Sequence, residues 1–257
     1  MSGVWLTDLA DILSQAGVSV VEMKYTRGPY QGRSWKQVGF NGRGLTEFRG
    51  IMWHHDASPF GDSGKATVGT DGYGDSPTGA LGWCMYMDIA PAAAAWVDRK
   101  GVWYLYAAGL SNHAGIGSSA LAPNNTGNQY YFGIETDHTT NESWPRAQLD
   151  SLRVGTAAIM RVYKLDPDKA LEFHKTYAPG RKNDPDGVDL GDERRTVAAI
   201  MRTSGTDGKK VARLERHRRT WRRRRDELRD AGKTKGLSTA RRKIRELNQK
   251  IKDVTGR

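Results

Sequence analysis

Three side chains have the types and surroundings from which a hydrolytic metal site is built. His54 ends the apolar run Ile51-Met52-Trp53, His174 follows Leu171-Glu172-Phe173, and a polar loop comes after each. A zinc site built for hydrolysis needs three protein ligands and one open position for water, commonly histidines with a carboxylate. Asp184, in Lys182-Asn183-Asp184-Pro185, is the natural third ligand. The chain from His174 to Gly187 is rich in Gly and Pro, so it can fold back until His174 and Asp184 meet at one ion. The chemistry expected of such a trio is metal-assisted hydrolysis near neutral pH, because zinc lowers the pKa of its water toward about 7. Among the other histidines, His55 is expected either as a donor behind the site or as a packed strand residue. His138, in Asp137-His138-Thr139-Thr140, and His217, amid arginines, are expected in solvent.

Elements of alternating type must position these groups. Trp5, Leu6, Leu9, Ile12 and Leu13 share one helical face, and Gly17 stands where that helix would stop. Strands are expected at 18–23, at Ile51-Met52-Trp53, and over Trp83 to Ile89, Val102 to Ala107 and Tyr130 to Ile134. Between the third and fourth, Pro91 with Ala92 to Ala95 suits a helical turn. Helices are expected over Arg146 to Leu165 and Asp192 to Met201. Strands interspersed with helices predict an α/β domain in which a sheet is covered by helices, with ligands gathered on loops at strand ends. Tyr130, Tyr131 and Phe132 fit the core better than a sugar groove.

Charge divides the chain. Of 257 residues with net charge +11, the stretch 205–257 holds twenty Lys/Arg against seven Asp/Glu, leaving twenty basic and twenty-two acidic residues before it. The first 204 residues are therefore nearly neutral and the tail carries the field. Ser204-Gly205-Thr206-Asp207-Gly208 reads as a linker, which predicts one unit over 1–204 and a second over 205–257. In the second, Leu237, Ala240, Ile244, Leu247, Ile251 and Val254 step by threes and fours, and Val211, Leu214, Trp221 and Leu228 fit the same seam. With a turn at 231–236, this predicts a basic antiparallel α-helical hairpin. The lone Cys84 excludes an intrachain disulfide, and no run of about eighteen apolar residues is present to span a membrane. The opening Met1-Ser2-Gly3-Val4 lacks the basic start of a signal peptide, so synthesis in the cytosol is expected.

Four motifs over roughly residues 45–190 resemble those of the type 2 N-acetylmuramoyl-L-alanine amidases, a family of phage endolysins, cell-wall recycling amidases and peptidoglycan recognition proteins. They are Arg49-Gly50-Ile51-Met52-Trp53-His54-His55, Asn112-His113-Ala114-Gly115, Gly133-Ile134-Glu135, and His174 with Lys182-Asn183-Asp184, in family order. The resemblance implies an α/β fold with a central mixed β-sheet covered by helices. It also implies Zn2+ held by His54, His174 and Asp184, and a substrate-contacting loop at Asn112, His113, Ala114 and Gly115. Glu135 becomes the expected general base and Lys182 the expected stabiliser of the oxyanion. The implied reaction is cleavage of the amide between N-acetylmuramic acid and L-alanine in peptidoglycan. The Arg-Gly-rich approach to His54 looks most like endolysins of phages that infect actinobacteria, which would reach the wall through a holin-type pore.

Other readings stand beside this one. The same fold can bind muropeptides without zinc, although a binder has no need of the complete set His54, His174, Asp184, Lys182 and Glu135. Cys84 paired with His113 would suggest a cysteine peptidase of the wall. The tail, with Arg222 to Arg225 and Arg241-Arg242-Lys243, suits anionic wall polymers, less favourably nucleic acid, or only a solvated face around an apolar seam.

Overall fold

The computed structural model describes residues 3–57, 79–203 and 207–255. Its elements in chain order are α1 (Leu9–Gln15), β1 (Val20–Glu22), β2 (Gly50–Trp53), α2 (Gly79–Tyr86), β3 (Ala95–Val97), β4 (Trp103–Leu105), α3 (Gly127–Tyr130) and β5 (Tyr131–Thr136). They continue with α4 (Arg146–Val162), α5 (Pro167–Ala170), β6 (Leu171–Phe173), α6 (His174–Tyr177), α7 (Leu190–Met201), α8 (Asp207–Asp230) and α9 (Leu237–Thr255). The six strands form one mixed sheet in the order β1-β4-β3-β5-β2-β6. Strands β3, β5, β2 and β6 run parallel, β4 runs antiparallel to β3, and β1 follows β4. The α/β class with helices against a mixed sheet is therefore as expected.

β2 occupies the interior of the parallel half because Gly50, Ile51, Met52 and Trp53 are all buried, the pattern of a strand covered on both faces. Helix α4 lies against the sheet, where Trp53 Nε1 donates to Thr156 Oγ1 at 3.0 Å and Trp103 Nε1 to Ser151 Oγ at 3.2 Å. Gly155 permits this approach: a Cβ there would stand 2.3 Å from the Trp103 ring. The aromatic strand residues Tyr131 and Phe132 are core, whereas Tyr130 is half-buried beneath the Arg49 guanidinium, 3.8 Å from its ring centre.

Two elements differ from expectation. The segment expected as a strand over Trp83 to Ile89 is instead the end of α2 and the turn after it. Leu81, Cys84 and Met85 are buried at helical spacing while Trp83 is exposed, and in so short an apolar run periodicity cannot separate the two states. Conversely, Pro91 to Ala95 is not a helical turn but an approach to β3. Ala94 N–H donates to the Gly133 carbonyl at 3.0 Å, and the Ala94 carbonyl accepts from Tyr106 at 3.1 Å. Alanine's helix preference loses to burial here, since Ala92 to Ala95 all sit in the core where small side chains let backbones meet.

The hairpin forms as expected from α8 and α9, with Ala240, Ile244, Leu247 and Ile251 buried along the seam. Leu214, Leu247 and Ile251 make their own cluster with Trp221 and Val254, but Val211 and Ala212 join the main core. Asp207 and Gly208, expected in the linker, already belong to α8, and the rest of that linker with the boundary near 205 lies outside the described residues. Arg216 reaches Asp150 of α4 at 2.6 Å, and Arg219 reaches Thr196 and Glu193 of α7 at 2.6 and 3.6 Å. Among the described residues no helix is long and apolar enough to cross a membrane.

Candidate metal centre

The neighbouring parallel strands β5, β2 and β6 end side by side, and each delivers one polar residue there. His54 follows β2 directly and extends its ladder, its N–H donating to the Ile134 carbonyl at 2.9 Å. Glu135 is the penultimate residue of β5, and His174 follows β6 as the first residue of α6. The carboxyl ends of parallel strands are where open α/β sheets place ligands, because side chains there leave the ladder and face a crevice. Asp184 arrives on the returning loop, pinned by Lys175: its N–H donates to the Asp184 carbonyl at 2.6 Å and its Nζ to the Val188 carbonyl at 2.9 Å.

The three expected ligands converge. His54 Nδ1 lies 2.9 Å from His174 Nδ1, and Asp184 Oδ2 lies 3.3 and 3.0 Å from these two nitrogens. All three side chains are buried, and their ligand atoms lie within 4.8 Å of one another. Burial first, and then the neighbouring His174, push the His54 pKa down to about 4. Its ring is therefore neutral at pH 7, the form that ligates. Burial alone would raise the Asp184 carboxyl, but its contacts with His174 and His54 overcome it and hold the group well below the usual range. Nitrogens and an oxygen bound at about 2.0–2.1 Å around a tetrahedral zinc stand about 3.4 Å apart. The trio would need to open by only a few tenths of an ångström, so its donor set and spacing fit the ion.

Glu135 stands at the edge of this trio, with Oε1 4.0 Å from His54 Nδ1. Its Oε2 is buried without a hydrogen-bond partner among the described residues. Burial, then Asp184 and Asp56, raise its pKa well above the ordinary value, against the opposing pull of Lys182. A cation at the trio would act in the direction of Lys182 and favour the ionised carboxylate. Lys182 itself is exposed on the loop, close enough for its charge to lower the pKa of both Glu135 and His54.

The loop Asn112 to Gly115 also comes to the site, but not with its side chains toward solvent. His113 and Ala114 are buried, and only Gly115 of the four is exposed. The loop is held by two residues the motifs do not include: Asn128, whose Oδ1 accepts from the N–H groups of His113 and Ala114, and Arg181, whose Nη2 donates to the Ala114 carbonyl at 2.6 Å. Their separation from the loop along the chain left no local signal for either contact.

Three further histidines and the cysteine resolve as follows. His55 is buried and accepts from the Asp186 N–H at 3.3 Å, its ring centre 5.7 Å from that of His138. His138 is fully buried, contrary to the expected solvation, stacked on Trp144 with ring centres 4.0 Å apart. The aromatic face six residues along the chain supplies the apolar cover that its polar flanks conceal. His217 is exposed as expected. Cys84 is fully buried and its thiol pKa is pushed well up by burial, while His113 turns to His54 and Tyr131. This is the environment of an inert thiol and not of a nucleophile.

Comparison with known proteins bears on the same region. A crystal structure of a selenomethionine derivative of AmpD is 19% identical with a TM-score of 0.45, covering 62% of this chain and 92% of that one. The N-acetylmuramoyl-L-alanine amidase LysC from Clostridium intestinale is 12% identical with a TM-score of 0.40, covering 70% and 96%. The hydrolase AmiA of Staphylococcus aureus in complex with its ligand is 17% identical with a TM-score of 0.42, covering 76% and 93%. Likeness at this level says nothing of substrate or metal. No curated protein sequence matches the chain. The model of one family, described as N-acetylmuramoyl-L-alanine amidase, matches residues 44–187. That is more than half of the chain, and it takes in both histidines, the aspartate, the glutamate and the lysine of the site: this protein belongs to the N-acetylmuramoyl-L-alanine amidase family.

Proposed function

We propose that this protein is a zinc-dependent endolysin that hydrolyses the amide between N-acetylmuramic acid and L-alanine in bacterial peptidoglycan. The observation that carries the reading is the convergence of His54, His174 and Asp184 on one point beside Glu135. Zinc, when bound by that trio, supplies polarisation of the scissile carbonyl and a water acidic enough to ionise near neutral pH. Glu135 accepts the water's proton on a carboxylate oxygen as the water oxygen joins the carbonyl carbon. It returns that proton to the alanine nitrogen as the C–N bond breaks, leaving a carboxyl on the muramic acid and an amine on the peptide. Lys182 offsets the negative charge that gathers on the carbonyl oxygen, a role supported by the action of its charge on Glu135 and His54.

The endolysin assignment rests on the motif around His54, which favours a phage of actinobacteria, with synthesis in the host cytoplasm and passage to the wall through a holin-type pore. The hairpin's exposed arginines, among them Arg223 and Arg224, suit attraction to the phosphates of wall polymers. One experiment tests the ion and the bond together: metal analysis of the purified protein with mass spectrometry of digested peptidoglycan. The expected result is one zinc per chain and products with a free L-alanine amine. Release of products cut elsewhere in the stem peptide, or turnover unaffected by zinc removal, overturns the reading. For the hairpin, sedimentation on purified walls is compared with a gel shift on random DNA, and preference for DNA overturns the wall assignment.

A further inference from the structure

The two histidine ligands each have a second nitrogen, and both of these are fixed by adjacent residues of one loop. His54 Nε2 lies 2.9 Å from His113 Nδ1, and His113 Nε2 lies 3.1 Å from the Tyr131 carbonyl oxygen. A carbonyl can only accept, so the proton of His113 sits on Nε2 and its Nδ1 is the acceptor. His54 must then donate from Nε2, which leaves the lone pair of Nδ1 directed at Asp184 and His174. The second arm is shorter. His174 Nε2 lies 3.0 Å from the Ala114 carbonyl oxygen and 3.3 Å from Arg181 Nη2; the closer carbonyl, which can only accept, takes the Nε2 proton, so His174 keeps Nδ1 bare.

The residues around the loop make this wiring rigid. Asn128 Oδ1 accepts from the N–H groups of His113 and Ala114 at 2.9 and 2.7 Å, and Asn128 Nδ2 donates to Asn112 Oδ1 at 3.0 Å. The His113 ring lies flat against β5 where Gly133 leaves room: a Cβ at Gly133 would stand 2.5 Å from His113 Cγ. The glycine of the Gly-Ile-Glu motif thus has a stated task, to admit a ring.

We propose that His113 is a positioning residue for metal ligation: it locks His54 as the Nε2–H tautomer, while the Ala114 carbonyl locks His174 in the same state. The loop acts on the ligands from behind and not on substrate. The proposal rests on reading the trio as a zinc centre, and it assigns to His113 a role other than the substrate contact that family resemblance implies.

The test is zinc affinity by chelator competition for the full-length protein, for His113→Phe, which keeps ring volume without an acceptor, and for His113→Asn, whose Oδ1 can stand near the place of Nδ1. Loss of an outer hydrogen bond to a ligating histidine typically costs about 10–100-fold in metal affinity. His113→Phe is expected to weaken zinc binding by that factor and His113→Asn to recover most of it, with sedimentation of both variants on purified walls unchanged. Unaltered zinc affinity in His113→Phe with weakened wall binding overturns the proposal in favour of a substrate contact. Should the phenylalanine variant not fold, 15N-detected imidazole spectra of the unmodified protein decide the matter: protons on Nε2 of His54, His113 and His174 uphold the wiring, and a proton on His54 Nδ1 overturns it. If the unmodified protein takes up no zinc, the reading of the centre fails, and the tautomers of the metal-free protein still judge the wiring by itself.

Discussion

The strand ends around His54 and the hairpin of α8 and α9 use charge in opposite ways. At the strand ends few ionisable groups are present, His54, His174 and Asp184 are buried, and their separations are fixed to within hydrogen-bond distance by hydrogen bonds from behind. On the hairpin the charges are many and exposed, and they pair mostly with neighbours one, three or four residues along the same helix, as Arg223 and Arg224 do with Glu227. A buried group acts through geometry, because low dielectric magnifies any misplacement. An exposed array acts through its summed field, which tolerates rotation of any single side chain and weakens with salt. The first region should therefore be intolerant of single substitutions and indifferent to ionic strength, and the second the reverse.

The largest effect expected from one substitution is at a proposed ligand. Asp184→Ala should abolish zinc retention on gel filtration and lower amide hydrolysis by on the order of a thousandfold, since Lewis-acid stabilisation is worth several kcal/mol and each 1.4 kcal/mol is about tenfold in rate. Next is Glu135→Ala, which should keep zinc while turnover falls by about 10²–10⁴-fold, the usual worth of a positioned general base. An unchanged rate in that variant would remove Glu135 from the chemistry. On the hairpin, no single arginine should matter. The triple variant Arg223→Glu, Arg224→Glu, Arg242→Glu should weaken wall sedimentation by about tenfold or more and flatten its salt dependence, while cleavage of small soluble muropeptides stays within about twofold. Loss of that soluble activity would erase the contrast between the regions.

The smallest effect concerns stability and pH. Asp137 is held by Arg99 at 3.1 Å, yet burial, then Asp56, with smaller contributions from Asp98 and Glu142, pushes its pKa up to about 7. A carboxyl whose folded pKa is raised above its unfolded value near 3.8 stabilises the fold fully only below that value, and the contribution is lost as pH rises through about 7. Asp137→Asn should thus become steadily more stable relative to the parent between about pH 4 and 7, by at most about 1.4 kcal/mol per pH unit. Thermal melts of the two proteins across that range check the slope, and parallel melting curves would show that the carboxylate is adequately compensated.

Much of this arrangement is legible in the sequence where local pattern and tertiary role coincide. The four-residue run of β2 is apolar because both its faces are covered, and His54 stands out as the first polar residue after it. The hairpin seam is legible because a heptad needs only its own two helices to be satisfied. Legibility fails where a distant neighbour decides. Leu171 to Phe173 is a strand only because β2 pairs with it, three residues being too few for a period. The helix at Gly79–Tyr86 is misread because apolar residues lie on its exposed side as well. His113 carries no local mark of its partner, since the ring it supports lies fifty-nine positions away.

Glu193 lies almost wholly buried, gripped in a fork by Arg153 at 2.6 and 2.7 Å and approached by Arg219 of the hairpin. One residue further along α7, Arg194 donates twice to the Leu171 carbonyl of β6, the strand that delivers His174. Anyone exchanging the tail for a targeting module would therefore be cutting into a joint and not untying a tether. A fusion spliced after residue 203 strips Val211 and Ala212 from the core and unhands Glu193 on one side, whereas a graft placed beyond residue 255 leaves the joint whole.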